Sequence, residues 1–197
     1  MRLISNVLGT RNLAKGSCLF VLACVAAYVY ITTQGLTAKA VAFGFGPGAL
    51  SAISLWQLIF ANISHVTFQH LFWNMWFFLL MAPLVERGLG CIRFLLLCLA
   101  SAVGGCLGEY LIYGPGAGGY GASAVVYGVM GAFLIPKQFN TIWVFILVAV
   151  CTLVAMETQQ LMEMDNIGHA AHVGGFFGGF ATKCLFEIKR LRNKLLS

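Results

Sequence analysis

The chain is predicted to be an all-α polytopic membrane protein, a bundle of six transmembrane helices, and three observations carry that expectation. Of 197 residues, 60% are hydrophobic and 9% charged, with a mean hydropathy of +0.88; this leaves too little polar surface to clothe a soluble globule. Six apolar stretches, 16–33, 66–83, 92–113, 123–136, 141–157 and 167–187, approach the roughly 17–25 residues with which a helix crosses the hydrocarbon. Lys and Arg collect on alternate connections, the bias that marks the cytoplasmic side.

Taken in order, span one follows Arg2, Arg11 and Lys15. A basic start, an apolar run and Ala38-Lys39-Ala40 imitate a cleavable signal, but the run is too long for one, so span one is read as uncleaved. Arg87 and Arg93 separate spans two and three, Lys137 follows span four, and Lys183, Lys189, Arg190, Arg192 and Lys194 close the chain. All of these fall on one side. The opposite side carries Lys39, Glu157, Glu163 and Asp165, and the 114–122 connection has no charge. Residues 1–15 and 188–197 are thus expected to be cytoplasmic tails around a six-span domain at 16–187. The net charge of +6 reflects this orientation, and no nucleic-acid partner is expected. The seven cysteines stand singly, without a C-x-x-C pair, as small helix-packing residues. No metal and no cofactor are expected.

With both termini inside, the polar residues of the even-numbered spans meet at one depth. His70 and Asn74 fall in the outer half of span two, Ser123 at the outer end of span four, and His169 and His172 near the outer end of span six. Ionisable and strongly polar groups inside a bilayer are costly and mark functional sites. Ser123 follows a glycine-rich run ending in Gly121-Ala122 and opens an apolar helix, which presents its hydroxyl beside N–H groups without helical partners. His70 and Asn74, four apart, share a helix face. With the Ser123 N–H they form a candidate oxyanion hole. Tyr127, one turn after Ser123, is placed to pack on an imidazole, or equally is a core aromatic. No Asp or Glu falls in the outer half of spans four or six, so the pattern predicts a Ser–His dyad without an acidic third member. Glu109 is read as a lipid-interface residue near a helix end, with a cavity role as the lesser alternative. Fourteen or so residues from Ser123 to Lys137 reach about 21 Å at about 1.5 Å each, so Ser123 is expected about 10 Å below the outer surface, in a wet cavity.

From Trp56 onward the chain resembles the rhomboid intramembrane serine proteases of the minimal six-span bacterial kind. The residues carrying the resemblance are His65-x-x-x-x-His70-x-x-x-Asn74, Glu86-Arg87 with Gly90 beyond it, Gly121-Ala122-Ser123 with Tyr127, and Ala171-His172-Val173-Gly174-Gly175. The resemblance implies a rhomboid-like fold, Ser123 as nucleophile, His172 rather than His169 as general base, and His70 and Asn74 as oxyanion donors. It also implies structural roles for His65 and Glu86, and close approach of span six to span four through Gly175-x-x-x-Gly179, which small-residue packing independently suggests. Three departures stand out: Ala124 after the serine where many relatives have Gly, Gln57 after Trp56 where relatives commonly have Arg, and a slightly longer 114–122 loop.

The expected activity is hydrolysis of peptide bonds in or near transmembrane segments of membrane proteins. The enzyme is expected in a bacterial inner membrane, surrounded by lipid, with its site opening to the periplasmic side. Two other classes are weighed beside it. A metal-dependent membrane hydrolase would draw on His65, His70, His169 and His172, but there is no H-E-x-x-H and no carboxylate ligand in reach. A non-catalytic rhomboid-like protein that binds or escorts membrane clients would usually have lost the serine or the histidine.

Overall fold

A computed structural model describes residues 14–36, 55–114, 119–135, 141–161 and 167–196. Among them every regular element is helical: α1 (Lys15–Thr33), α2 (Leu55–Ile63), α3 (Phe68–Leu89), α4 (Cys91–Tyr113), α5 (Ser123–Phe133), α6 (Thr141–Gln159) and α7 (His169–Leu195). The charges at Arg2, Arg11, Lys39, Lys137, Glu163 and Asp165, the Ala38-Lys39-Ala40 triplet and positions 115–118 of the glycine-rich loop lie outside the described residues. Three described helices, α1, α3 and α4, are long and apolar enough to cross a membrane; α5, with eleven residues, is shorter.

Three helix ends differ from the predicted spans for identifiable reasons. Span two does not end near residue 83: α3 runs to Leu89 with Pro83 inside it, and stops where Gly90 takes φ +81°. That glycine alone links α3 to α4. Span four is shorter than expected, since α5 has eleven residues and reaches only about 16 Å at about 1.5 Å each. The helix bearing span six continues beyond it, because α7 carries its basic end as helix to Leu195. The short α2, just ahead of α3, belongs to none of the six predicted spans.

α5 is the central strut. Eight of its residues, Ala124–Val126 and Gly128–Ala132, are buried against α3, α4 and α7. Around it the core gathers Phe78, Phe94, Leu97, Val125 and Val129. Outward-facing Leu22, Trp76, Ile92 and Leu111 are half or more exposed, as expected of side chains that meet lipid rather than water.

Glycines set how closely α7 approaches its neighbours. A Cβ on Gly175 would lie 2.2 Å from the Ala124 carbonyl oxygen, and one on Gly179 2.0 Å from that of Gly128. α7 and α5 therefore touch backbone to backbone, as expected where small residues and dispersion, not hydrophobic expulsion, hold helices together in lipid. α6 leans on this pair from outside, through Val150 against Met130 and Phe176.

Glu86 anchors α1. Its Oε1 accepts the Gly16 N–H at 2.8 Å, and its Oε2 accepts the Ser17 N–H at 2.8 Å and the Ser17 hydroxyl at 2.7 Å. The first turn of α1 has no side-chain cap of its own, so a carboxylate from α3 satisfies donors that would otherwise be orphaned and meets the positive end of the helix dipole. Glu86 lies sixteen residues along α3 from His70, at the opposite end of the helix.

Candidate active site

The start of α3 brings His70 and Asn74 together. Thr67 caps the helix by accepting the His70 N–H at 3.2 Å, and the Asn74 amide donates to the His70 carbonyl at 3.0 Å. Asn74 is buried and His70 half-buried. The second N–H of the Asn74 amide is not needed for that bond.

The segment before Ser123 is fastened by two bonds to α2 and to the connection between α2 and α3. The Gly121 N–H donates to the Ala61 carbonyl at 2.8 Å. The Ala122 N–H donates to His65 Nε2 at 3.3 Å, which makes Nε2 the acceptor, so the proton is on Nδ1, facing the Ile63 carbonyl at 3.1 Å. His65 is fully buried and its ring meets that of His70 edge-on, with centroids 5.0 Å apart. It thus holds both the residue before the serine and the neighbouring imidazole. Gly121, at φ +113°, is required twice over. L-residues avoid that backbone region, and a Cβ there would fall 2.5 Å from His70 Cε1.

Ser123 is half-buried and opens α5. Ala124 has little freedom but also little need of it: a Cβ on Gly105 would lie 2.5 Å from the Ala124 methyl, so that methyl occupies the space the α4 glycine leaves open. The departure from glycine at 124 is absorbed by packing. One turn on, Tyr127 stacks flat on His172, with centroids 4.4 Å apart and planes within 6°, which resolves its two readings in favour of the imidazole partner. His172 is one turn ahead of Gly175 on α7, and Gly175 abuts Ala124. Ser123 and His172 therefore belong to the first turns of two helices in direct contact.

Two carboxylates contradict the sequence expectation. Glu157, assigned to an outer loop, is within α6 and reaches the histidines. Its Oε2 faces His172 Nδ1 at 2.8 Å and His169 Nδ1 at 2.5 Å, while its Oε1 accepts the Tyr127 hydroxyl at 2.5 Å. An acidic group does stand behind His172, and a carboxylate is in reach of two histidines. Glu109 is not a lipid-interface residue: it is buried and accepts the Ala171 N–H at 3.0 Å, capping the first turn of α7 from α4. Both were missed because they lie on helices other than those bearing the serine and histidines. Glu157 had one readable signal, its place directly after the apolar run that ends at Met156; the helix itself continues to Gln159.

An ionised carboxylate only accepts, so each imidazole facing Glu157 carries its proton on Nδ1. The Nε2 of His172 then has a free lone pair, the form a general base requires. The liganding atoms of Glu157, His169 and His172 lie within 4.8 Å of one another, and the same three groups could hold a metal ion.

Residues 52–187 match the family model described as Rhomboid domain. The chain is 32% identical over 139 residues to "Putative rhomboid protease YdcA" of Bacillus subtilis, covering 70% of each chain. It is 30% identical over 151 residues to rhomboid protease GluP of the same organism, covering 73% of this chain and 29% of that one. To rhomboid protease GlpG of Haemophilus influenzae it is 28% identical over 134 residues, covering 64% of this chain and 66% of that one.

Proposed function

This chain belongs to the rhomboid family of integral membrane proteins, and on that premise we propose that it is an intramembrane serine endopeptidase. The observation that carries the proposal is the flat stacking of His172 on Tyr127 at 4.4 Å, one turn from Ser123, with Nδ1 engaged and Nε2 left as base. Ser123 Oγ attacks the scissile carbonyl carbon while His172 Nε2 takes its proton. The Ser123 N–H, the His70 ring and the free Asn74 N–H hold the oxyanion. The tetrahedral species collapses, the C–N bond breaks, and His172 returns the proton to the departing amine. Water then attacks the acyl ester, His172 again accepts the proton, and release of the acid restores the Ser123 hydroxyl. Ser123 and His172 are the pair that makes and breaks bonds.

The proposed substrates are single-span or polytopic membrane proteins, cut where a helix unwinds near its outer end. The proposed setting is a bacterial inner membrane, with 1–15 and 188–197 as cytoplasmic tails, 16–187 as the membrane domain, and the site opening to the periplasm. The test is cleavage of a single-span substrate by detergent-solubilised protein, with labelling by a fluorophosphonate probe. Wild-type protein cleaves and is labelled; Ser123→Ala and His172→Ala do neither. Cleavage that persists in Ser123→Ala refutes the proposal, and a folded wild-type protein that neither cleaves nor labels points to a binding or escort role.

A metal-dependent hydrolase is a second reading, favoured by the grouping of Glu157, His169 and His172. It predicts that EDTA abolishes cleavage and that Zn²⁺ restores it. Cleavage undiminished in EDTA refutes it.

A further inference from the structure

We infer that Glu157 is a positioning residue for the hydrolysis, the third member of a Ser123–His172–Glu157 relay rather than a mere fastening between helices. The inference rests on the serine-protease reading above. Three observations support it. Glu157 Oε2 meets His172 at Nδ1 (2.8 Å), the nitrogen opposite the one that must take the serine proton. A carboxylate at that nitrogen holds the imidazole in the useful tautomer and stabilises the imidazolium that forms when Ser123 is deprotonated. The Glu157 side chain is 14% exposed, so its charge acts on the ring through little intervening water. Its own geometry is also determined, since the Tyr127 hydroxyl binds Oε1 at 2.5 Å and His169 Nδ1 binds Oε2 at 2.5 Å.

The arrangement is economical in its connections. Tyr127 stacks on one face of His172 and hydrogen-bonds to the carboxylate that fixes the ring edge, so ring plane and ring rotation are set by two residues that also bind each other. His169 meets His172 edge-on at 6.2 Å and does not share that stacking. His172 is thus clamped on a face by Tyr127 as well as at Nδ1 by Glu157. His169 Nδ1 serves as a second donor that keeps the Glu157 oxygen aimed.

The test compares Glu157→Gln and Glu157→Asp with wild-type protein, all in EDTA so that no metal contributes, reading kcat, KM and the rate of fluorophosphonate inactivation. Gln keeps the volume but can donate to Nδ1 and favour the wrong tautomer. Its kcat should fall at least about tenfold, and up to about ten-thousandfold if Tyr127 contributes little to orientation. KM should change less than about threefold, and probe inactivation should slow in the same ratio as kcat. Asp, which retains the charge one methylene short, should recover part of the loss. Wild-type kcat in folded Glu157→Gln overturns the inference, as does a loss confined to KM. If Glu157→Gln does not fold, Glu157→Asp decides alone: withdrawal of the carboxylate breaks the 2.8 Å contact, and wild-type kcat there overturns it. Ser123→Ala separates the two levels. Cleavage in Ser123→Ala brings down the protease reading and this inference together, whereas a dead Ser123→Ala beside a fully active Glu157→Gln brings down this inference alone.

Discussion

Replacing Gly121 by alanine adds one methyl group, and its consequence can be worked from two numbers. The new Cβ would lie 2.5 Å from His70 Cε1 and 2.8 Å from Nε2, where ordinary carbon contacts are about 3.5–4.0 Å. The ring must retreat by about 1 Å. The backbone at φ +113° adds strain of about 1–3 kcal/mol for a residue with a side chain. His70 cannot move freely, since His65 meets its ring at 5.0 Å and Tyr120 at 6.0 Å. A displacement of that size in a group aimed at a developing charge costs about a hundredfold, close to the loss of an oxyanion donor, about 100–1,000-fold. Gly121→Ala should therefore lower kcat by about two orders of magnitude, with a Tm drop reflecting the strain. The assay is steady-state cleavage of a single-span substrate alongside thermal unfolding followed by circular dichroism. Wild-type kcat in Gly121→Ala would refute the placement of His70 as an oxyanion donor.

Other perturbations separate scaffold from chemistry. Gly179→Ala places a Cβ 2.0 Å from the Gly128 carbonyl oxygen, an overpacking that costs about 1–3 kcal/mol or more. It should lower Tm and probe labelling together, and an unchanged Tm would contradict the close α5–α7 contact. Glu86→Gln removes a charge that holds two backbone N–H groups and a hydroxyl of α1; stability should fall by about 2 kcal/mol or more, visible in thermal unfolding, while KM stays near wild type. Tyr127→Phe keeps the stacked ring but deletes the donor to Glu157. It should reduce kcat between about twofold and tenfold, whereas Tyr127→Ala, which also removes the stack, should reduce it further. Equal effects in the two would mean that the ring itself contributes nothing.

Sequence alone determined the all-helical membrane class and most of the helices, and it placed His70, Asn74, Ser123, His169 and His172 near the starts of three helices. Apolar run length, the Lys and Arg bias and i,i+4 spacing are properties of linear order, and order along a membrane helix translates directly into depth. It also identified Gly121, Gly175 and Gly179, because small residues beside polar ones at one depth signal close backbone approach. What depth does not specify is azimuth, the direction in which a helix turns a given side chain, nor which helix stands next to which. Glu157 and Glu109 both occur near helix ends, where a carboxylate is ordinarily solvated, and only the packing of α6 and α4 against α7 turned them inward onto His172 and the Ala171 N–H. The same holds for Ala124, whose methyl is tolerated because Gly105 of another helix leaves space for it. The tertiary structure thus decided the partners: pairing two groups far apart in the chain depends on contacts between helices, which the spacing within any one helix does not encode.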